Sequence, residues 1–237
     1  MHYQATFERY EIKYLLSLEE KEQLLTIMAP YMKLDDYGRT TIRTIYYDTD
    51  DFRLIRRAME KPAYKEKLRI RSYQQTHPND PVFVELKKKY DGIVYKRRVT
   101  LPEAAAMESF DTDTPLPLQS QIADEIEYFR RYYQGLRPQV LITYEREAYY
   151  DLSGSAFRVT FDENILYRNE ALSLEDAVYG TPLLPKGMVL MEVKTPHGIP
   201  LWMSHFLAQA HIYKSSFSKY RSAYMDMMQK QMKGKVS

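Results

Sequence analysis

The chain has 237 residues, a formal net charge of +2, 22 tyrosines and no cysteine. The lack of cysteine excludes disulfides, thiolate zinc sites and cysteine nucleophiles, and it fits a reducing compartment. No apolar run approaches the roughly 18–20 residues needed to span a bilayer, and the near-neutral charge argues against nucleic acid as a partner. We therefore expect a cytoplasmic globular protein with no membrane span of its own, in which any anion site is a local concentration of charge.

The first half of the chain predicts mostly strands. Alternation of charged and apolar residues indicates each strand. The capping box that begins at Ser17, with Glu20 three residues on, starts a helix that runs to about Met28. Asp91 and Gly92 indicate a hairpin turn. The predicted strands span residues 6–15, 41–48, 64–73, 82–89 and 93–101, and a second short helix spans 52–59.

The second half predicts more helix. A short helix begins near Pro102, and an amphipathic helix follows over residues 122–133, where apolar residues recur at helical spacing. The polar tail from Lys230 is expected to fray. Further strands are predicted at 140–150, 157–162 and 188–194, irregular chain at 169–186, and helices at 199–210 and 217–227.

At least five of these strands carry charge on one face and apolar residues on the other. From Lys67 to Arg71, three bases point one way while Leu68 and Ile70 point the other way. A solvated outer face would explain any single strand. Repetition favours a shared water-filled lumen, because burying so many charges in a dry core costs several kcal/mol each. The face-sharing bases are Arg9, Lys13, Lys67, Arg69, Arg71, Lys87, Lys89, Lys96, Arg98, Arg146, Arg158 and Lys194, and the acids are Glu11, Glu85, Asp162 and Glu192.

This charge balance indicates a polyanion ligand. Arginine and lysine are the natural partners of phosphate oxygens. Carboxylates among them suit Mg²⁺ or Mn²⁺ that bridges to phosphate. The strand at 140–150 is ambiguous, because Glu145 and Glu147 make both of its faces partly polar. The sequence contains no Ser-His-Asp pattern and no glycine-rich phosphate loop, so the chemistry is expected to come from bases and a metal.

Seven short motifs occur in a characteristic order. They are Arg9-Tyr-Glu-Ile-Lys-Tyr14, Lys67-Leu-Arg-Ile-Arg71, Glu85-Leu-Lys87, Tyr144-Glu-Arg146, Arg158-Val-Thr-Phe-Asp162, Glu192-Val-Lys194 and Ser216-Phe-Ser-Lys-Tyr220. In this order they resemble the VTC domain, the polyphosphate polymerase module of the vacuolar transporter chaperone complex and its bacterial relatives. That domain belongs to the triphosphate tunnel metalloenzymes, with the adenylate cyclase and thiamine triphosphatase group. The resemblance covers about residues 5–225. We therefore predict that residues 1–237 form a single domain.

The resemblance implies an α+β fold in which eight antiparallel strands form a β-barrel tunnel with a charged lumen and helices packed outside. It implies an ATP-polyphosphate phosphotransferase that moves the γ-phosphate of ATP to a growing polyphosphate chain. Lys13, Arg69, Arg71, Lys87, Arg146, Arg158 and Lys219 would hold the reacting phosphates. Arg9, Lys67, Lys89, Lys96, Arg98, Tyr144 and Lys194 would line the tunnel and bind substrate. Glu192 would be the principal ligand of Mn²⁺ or Mg²⁺, with Glu11 and Glu85 as helpers.

Two departures from the family pattern qualify the implied function. The eukaryotic polymerases carry an SPX domain and membrane helices, which this sequence lacks, so a membrane protein is a candidate partner for product release. The tunnel phosphatases begin with Glu-x-Glu-x-Lys, and Arg9 stands at the first position here. This change favours a polymerase over a hydrolase. The alternatives are a tri- or polyphosphatase in the same tunnel and a non-catalytic module that binds polyphosphate or nucleotide; the oligomeric state is left open.

Overall fold

The computed structural model describes residues 10–91 and 93–234, and Arg9 lies outside them. In this part the chain forms an antiparallel sheet of ten strands and six helices, which confirms the α+β prediction. The strands are β1 (Tyr10–Ser17), β2 (Met32–Leu34), β3 (Thr40–Asp48), β4 (Tyr64–Ser72), β5 (Pro81–Tyr90), β6 (Ile93–Pro102), β7 (Arg137–Asp151), β8 (Arg158–Arg168), β9 (Thr181–Pro182) and β10 (Met188–Thr195). The helices are α1 (Leu18–Met28), α2 (Arg53–Met59), α3 (Glu103–Asp111), α4 (Gln121–Tyr133), α5 (Leu201–Gln209) and α6 (Lys219–Gly234).

The described residues fall into two compact units, each built from separate stretches of chain. The first unit takes in residues 10–40, 144–165 and 184–217. The second takes in residues 41–91, 93–143, 166–183 and 218–234. Strands β7 and β8 each contribute residues to both units. The prediction of one domain over the whole chain stays a prediction.

In the first unit the strand order is β1-β10-β8-β7, and β2 pairs with β7. The register places Lys13 opposite Glu192 and Glu192 opposite Thr160, so these three side chains share one face. The other face packs in a core with α1 and α5, where Val193 and Met203 are fully buried. The capping box predicted at the start of α1 is confirmed by its reciprocal hydrogen bonds. Because the apolar side chains of each strand pack in this core, its charged side chains point to the opposite face of the sheet.

In the second unit the order is β7-β3-β4-β5-β6. Leu68, Ile70 and Leu86 point into a core shared with α3 and α4, and all three are fully buried. Alternation therefore turns Lys67, Arg69 and Arg71 of β4 and Lys87 of β5 to the opposite face. The register places Arg69 between Tyr46 and Glu85 on that face.

The eight predicted strands are all present in the described residues, and the short strands β2 and β9 were not predicted. The prediction that the tail frays from Lys230 is wrong as far as Gly234, because α6 continues to that residue. Lys230 Nζ lies 3.0 Å from Asp226 Oδ2 and donates a hydrogen bond to Tyr167 Oη at 3.2 Å, which stabilises this last part of the helix. In the described residues the strand order begins at β1 and ends at β6 without pairing between these two strands, so closure into an eight-stranded barrel is not confirmed.

Within the described residues, no helix combines the length and the apolar character required to cross a membrane.

Candidate functional site

Three lysines form a row across β4, β5 and β6 in the second unit. Lys67 pairs with Lys87, and Lys87 pairs with Lys96, so the three side chains share one face. In the neighbouring row, Lys65 stands opposite Lys89. Burial, together with the charges of Lys89 and Lys87, lowers the pKa of Lys65. Like charges directly opposite each other destabilise a sheet, so this arrangement is expected where a negatively charged ligand binds.

Glu85 is the acid on this face, and it is fully buried. Its Oε2 accepts a hydrogen bond from Arg69 Nε at 2.8 Å and lies 4.0 Å from Arg71 Nη1, while its Oε1 lies 2.5 Å from Lys96 Nζ. Burial alone would raise the pKa of Glu85, but the charges of Arg69, Arg71 and Lys96 lower it to about 2. Five cations accompany this one carboxylate. We call Lys67, Arg69, Arg71, Glu85, Lys87 and Lys96 the basic cluster.

A pair of stacked tyrosines borders the basic cluster. The rings of Tyr46 on β3 and Tyr220 on α6 have centroids 4.7 Å apart and planes 11° apart. Arg69 Nη1 donates a hydrogen bond to Tyr46 Oη at 3.3 Å, and Lys67 Nζ lies 5.7 Å from the centroid of the Tyr220 ring. Lys219, predicted to hold phosphate, is buried at the start of α6 beside Tyr220. The second unit therefore brings eight of the predicted bases and one predicted acid to the neighbouring strands β4, β5 and β6 and to this helix end.

The first unit contains a second group of charges, in which acids outnumber bases. Arg146 makes a bidentate contact with Asp162, from Nε to Oδ1 at 2.6 Å and from Nη2 to Oδ2 at 2.7 Å, and its Nη2 lies 3.1 Å from Glu192 Oε2. Lys13 Nζ lies 3.3 Å from Glu192 Oε1 and 3.6 Å from Glu11 Oε1. We call Glu11, Lys13, Arg146, Asp162 and Glu192 the mixed cluster.

The mixed cluster holds its arginine firmly in the charged form. Burial would lower the pKa of Arg146, but the charge of Asp162, hydrogen bonding to it and the charge of Glu192 raise that pKa well above its ordinary value. Asp162 is completely buried. We infer that the Arg146–Asp162 pair is fixed and that Glu192, which two cations share, is the more exchangeable acid.

Thr160 is a residue of this face that the sequence reasoning missed. It stands opposite Glu192, two residues before Asp162, and its side chain is buried. Its hydroxyl oxygen has no hydrogen-bond partner among the described residues. The alternation in Arg158-Val-Thr-Phe-Asp162 places Thr160 on the charged face, and that was the available signal.

The predicted metal ligands are distributed over both clusters. Among the described residues, no three acidic or histidine side chains are placed to hold a metal ion together. Glu11 and Glu192 approach the same ammonium group of Lys13. Two carboxylates of this kind fit the donor set of Mg²⁺, which keeps several waters and completes its shell with phosphate oxygens. Glu85, by contrast, is surrounded by cations in the basic cluster.

Four predicted substrate-binding residues lie beside the clusters. The Arg98 guanidinium stacks over the ring of Phe83 at 4.8 Å, and Arg98 pairs with Glu85 in the strand register. Tyr144 is buried under the Arg146 guanidinium, at 5.1 Å. Lys89 lies partly buried on β5. Lys194 pairs with Glu11 on β1.

Arg158 stands opposite Lys194 in the strand register, and its side chain also reaches a carboxylate outside the mixed cluster. Its Nη2 donates a hydrogen bond to Asp35 Oδ2 at 3.0 Å, and half of its side chain is exposed. The structure therefore pairs Arg158 with a surface carboxylate in the first unit. Arg9, the remaining predicted base, lies outside the described residues.

The ambiguity of strand β7 is resolved by contacts on its other face. Lys21 of α1 is buried, and its Nζ lies 2.5 Å from Glu147 Oε2 and 2.6 Å from Glu163 Oε1. Arg39 Nε donates a hydrogen bond to Glu145 Oε2 at 3.0 Å. Glu145, Glu147 and Glu163 thus belong to a separate ion-pair network, whereas Arg146 contacts the acids of the mixed cluster.

Comparisons with known proteins agree with this fold. A family model described as the VTC domain matches residues 8–228. The crystal structure of a proposed adenylate cyclase from Bacillus halodurans is similar, with 15% identity, 91% of this chain and 96% of that chain covered, and a TM-score of 0.56. A proposed adenylate cyclase from Vibrio parahaemolyticus matches with 12% identity, 93% and 99% coverage, and a TM-score of 0.48. Comparison with curated proteins finds no significant match.

Proposed function

Since the chain belongs to the VTC domain family, we propose that it is a metal-dependent polyphosphate polymerase that transfers the γ-phosphate of ATP to a growing polyphosphate chain. The observation that carries the proposal is the row of three lysines that stand opposite one another on β4, β5 and β6. Such a row costs stability unless a multivalent anion lies over it, and a chain of phosphates is an anion of that shape. A cytoplasmic location, where ATP is supplied, is part of this proposal.

The basic cluster would bind the phosphates. Arg69 and Arg71 present guanidinium groups, which match phosphate oxygens in pairs, and the lysines add point charges. The basic cluster contains five cations and one carboxylate, so its own charge is positive and would attract a phosphate chain. In the reaction, an oxygen of the terminal phosphate forms a bond to the γ-phosphorus while the bond from that phosphorus to the β-phosphate oxygen breaks, and ADP leaves.

Phosphoryl transfer of this kind requires positioning and charge neutralisation more than covalent chemistry by the protein. The arginines would offset the negative charge on the transferred group as it moves between oxygens. No side chain needs to act as a nucleophile, which agrees with a site made of bases and carboxylates. The bound phosphate chain would exclude bulk water, so the γ-phosphoryl group would be transferred to the chain more readily than to water.

Glu192, with Glu11, would hold Mn²⁺ or Mg²⁺ in the mixed cluster. The ion would supply charge neutralisation at phosphate oxygens. Lys13 now contacts Oε1 of Glu192, so it would give up this contact when the carboxylate takes a metal, while Arg146 would keep its bidentate contact with Asp162. In this way Glu192 would hold Lys13 in place without a metal and release it when the metal binds.

The test is incubation of the purified protein with ATP and Mn²⁺, with products resolved on a polyphosphate gel. We expect a ladder of long chains from the wild type and no ladder from Glu192→Gln. The matched control is Glu145→Gln, which removes a carboxylate from the opposite face of the sheet, where Arg39 binds it. Thermal unfolding of both variants establishes that each is folded.

Other results of this incubation would change the proposed function. Orthophosphate without a ladder would make the protein a tri- or polyphosphatase, and the polymerase proposal would be wrong. Binding of tripolyphosphate with ATP left intact, under several metals and primers, would make it a non-catalytic phosphate-binding module.

A further inference from the structure

Tyr46 and Tyr220 form a stacked pair whose two hydroxyl groups have opposite surroundings. Tyr220 Oη donates a hydrogen bond to Asp48 Oδ2 at 2.9 Å, and Asp48 also accepts hydrogen bonds from the backbone N–H groups of Leu54 and Ile55 at the start of α2. Burial and the charge of Asp48 raise the pKa of Tyr220. The Tyr220 hydroxyl is therefore a structural donor.

Tyr46 faces cations instead. Its hydroxyl oxygen accepts a hydrogen bond from Arg69 Nη1 at 3.3 Å, and the Arg69 guanidinium lies 5.9 Å from its ring centroid. Burial alone would raise the pKa of Tyr46, but the charges of Arg69, Lys67 and Arg71, with the hydrogen bond from Arg69, lower it to about 7. A phenol so placed can release its proton near neutral pH, because the phenolate then pairs with cations already present.

The groups around Tyr46 come from four elements. Strand β4 presents Lys67, Arg69 and Arg71, and β5 presents Glu85, which binds the other side of the Arg69 guanidinium. Helix α6 presents Lys219 and Tyr220. On β3 itself, Asp48 shares the face of Tyr46 and binds Tyr220. The acids of this set are already bound to other groups, so the surroundings of the Tyr46 hydroxyl are dominated by positive charge.

We propose that Tyr46 is a positioning residue of the basic cluster, one that orients the Arg69 guanidinium and takes up a proton from solvent when a phosphate chain binds there. The inference rests on the proposed function only in taking a phosphate chain as the ligand of the basic cluster. In the free protein the phenolate oxygen holds Arg69 as a counter-charge. A bound phosphate chain supplies that negative charge itself, repels the phenolate and converts it to the neutral phenol.

The direction in which affinity for the phosphate chain changes with pH follows from the coupling of binding to proton uptake. Binding that takes up a proton weakens as pH rises, by up to about tenfold per pH unit for one proton. The effect begins near the ordinary pH of the cell, since the pKa of Tyr46 in the free protein is about 7. Replacement of Tyr46 by phenylalanine removes the titrating group and keeps the stacked ring.

The first experiment needs no ligand. The near-ultraviolet absorbance of phenolate is followed as a function of pH in the wild type, in Tyr46→Phe and in the control Tyr47→Phe. Tyr47 is the next residue on the strand, and its hydroxyl contacts Met107 Sδ in the core. We expect one tyrosine to titrate near neutral pH in the wild type and in Tyr47→Phe but not in Tyr46→Phe. If no tyrosine titrates there, the inference is wrong.

The second experiment adds tripolyphosphate as the probe. Calorimetric titration at pH 8 in two buffers of different ionisation enthalpy measures the protons taken up on binding, and phenolate absorbance is read in the same samples. We expect the wild type to take up close to one proton more than Tyr46→Phe, with loss of phenolate absorbance. Ionisation of the probe itself cancels in this comparison.

The outcomes separate this inference from the proposed function. Equal proton uptake by the wild type and Tyr46→Phe, with tripolyphosphate bound to both, would overturn the role of Tyr46 and leave the polymerase proposal standing. Failure of the wild type to bind tripolyphosphate would overturn both. If proton uptake is confirmed but the protein makes no polyphosphate, the proposed role of Tyr46 is supported and the proposed polymerase activity is wrong.

Discussion

The basic cluster and the mixed cluster are built from the same strand pattern, yet they balance charge in opposite ways. In the basic cluster Arg69, Arg71 and Lys96 surround the carboxylate of Glu85, and Lys67 and Lys87 stand on the same face in the strand register. In the mixed cluster three carboxylates hold Lys13 and Arg146. The first arrangement leaves positive charge for an anion, and the second leaves negative charge for a cation. A charged strand face alone therefore says little about the ligand until the cross-strand neighbours are known.

The two clusters also differ in how tightly their arginines are held. Arg146 is bound at two nitrogens by the two oxygens of Asp162, which is the geometry of a strong, directional ion pair. Arg69 reaches Glu85 through one oxygen and uses another nitrogen for the Tyr46 hydroxyl. We infer that the Arg146–Asp162 pair mainly supports the fold, while the contacts that Arg69 makes with Glu85 and Tyr46 exchange more readily for contacts with a ligand.

Asp162→Asn is the change with the largest expected effect on stability. It leaves the buried Arg146 guanidinium without its main counter-charge, and breaking one partner of a buried ion pair costs about 3–5 kcal/mol. The free energy of unfolding, measured by urea titration, should fall by that amount. The control is Asp35→Asn, which breaks the pair with the exposed Arg158 and should cost about 0–1 kcal/mol. Equal losses in the two variants would contradict a structural role for the Asp162 pair.

Arg69→Ala should have its main effect on binding. Loss of a charge-assisted contact to phosphate costs about 1.5–3 kcal/mol, so the affinity for tripolyphosphate should fall roughly tenfold to hundredfold. Arg97→Ala is the matched control, because Arg97 lies on the neighbouring strand β6, next to Arg98, and its Nε is 3.6 Å from Glu125 Oε2. Calorimetric titration of both variants checks the prediction. An unchanged affinity in Arg69→Ala would remove the basic cluster from the binding site.

The sequence predicted the charged faces well because alternation is a local property. Lys67, Arg69 and Arg71 point away from Leu68 and Ile70 whatever lies beside the strand. The start of α1 was also predictable, since its capping box lies within four residues. The features that depend on neighbouring residues along one strand were therefore accessible from sequence.

The features that depend on pairing between strands were not accessible. Tyr46 sits in the run Ile45-Tyr46-Tyr47, which is typical of a core strand, and only its register with Arg69 shows that it faces the cations. Strand alternation placed Thr160 on the charged face, but only the pairing of the strands shows that it stands opposite Glu192. Lys21 of α1 is buried, and its contacts with Glu147 of β7 and Glu163 of β8 raise its pKa, although burial alone would lower that pKa. Sequence alone does not provide these registers and contacts.

Arg158→Ala has the smallest expected effect. It tests whether Arg158 binds phosphate, as the family resemblance implies, or only pairs with Asp35, as in the structure. The family resemblance assigns Arg158 to phosphate, whereas the structure pairs it with Asp35 and leaves half of its side chain exposed. An exposed ion pair contributes about 0.2–1 kcal/mol, so stability should change little, and the affinity for tripolyphosphate should change less than about threefold. The measurement is the same calorimetric titration used for Arg69→Ala. A loss as large as that of Arg69→Ala would show that Arg158 leaves Asp35 for the ligand, as the family resemblance implies, and the small effect expected from the ion pair in the structure would be wrong.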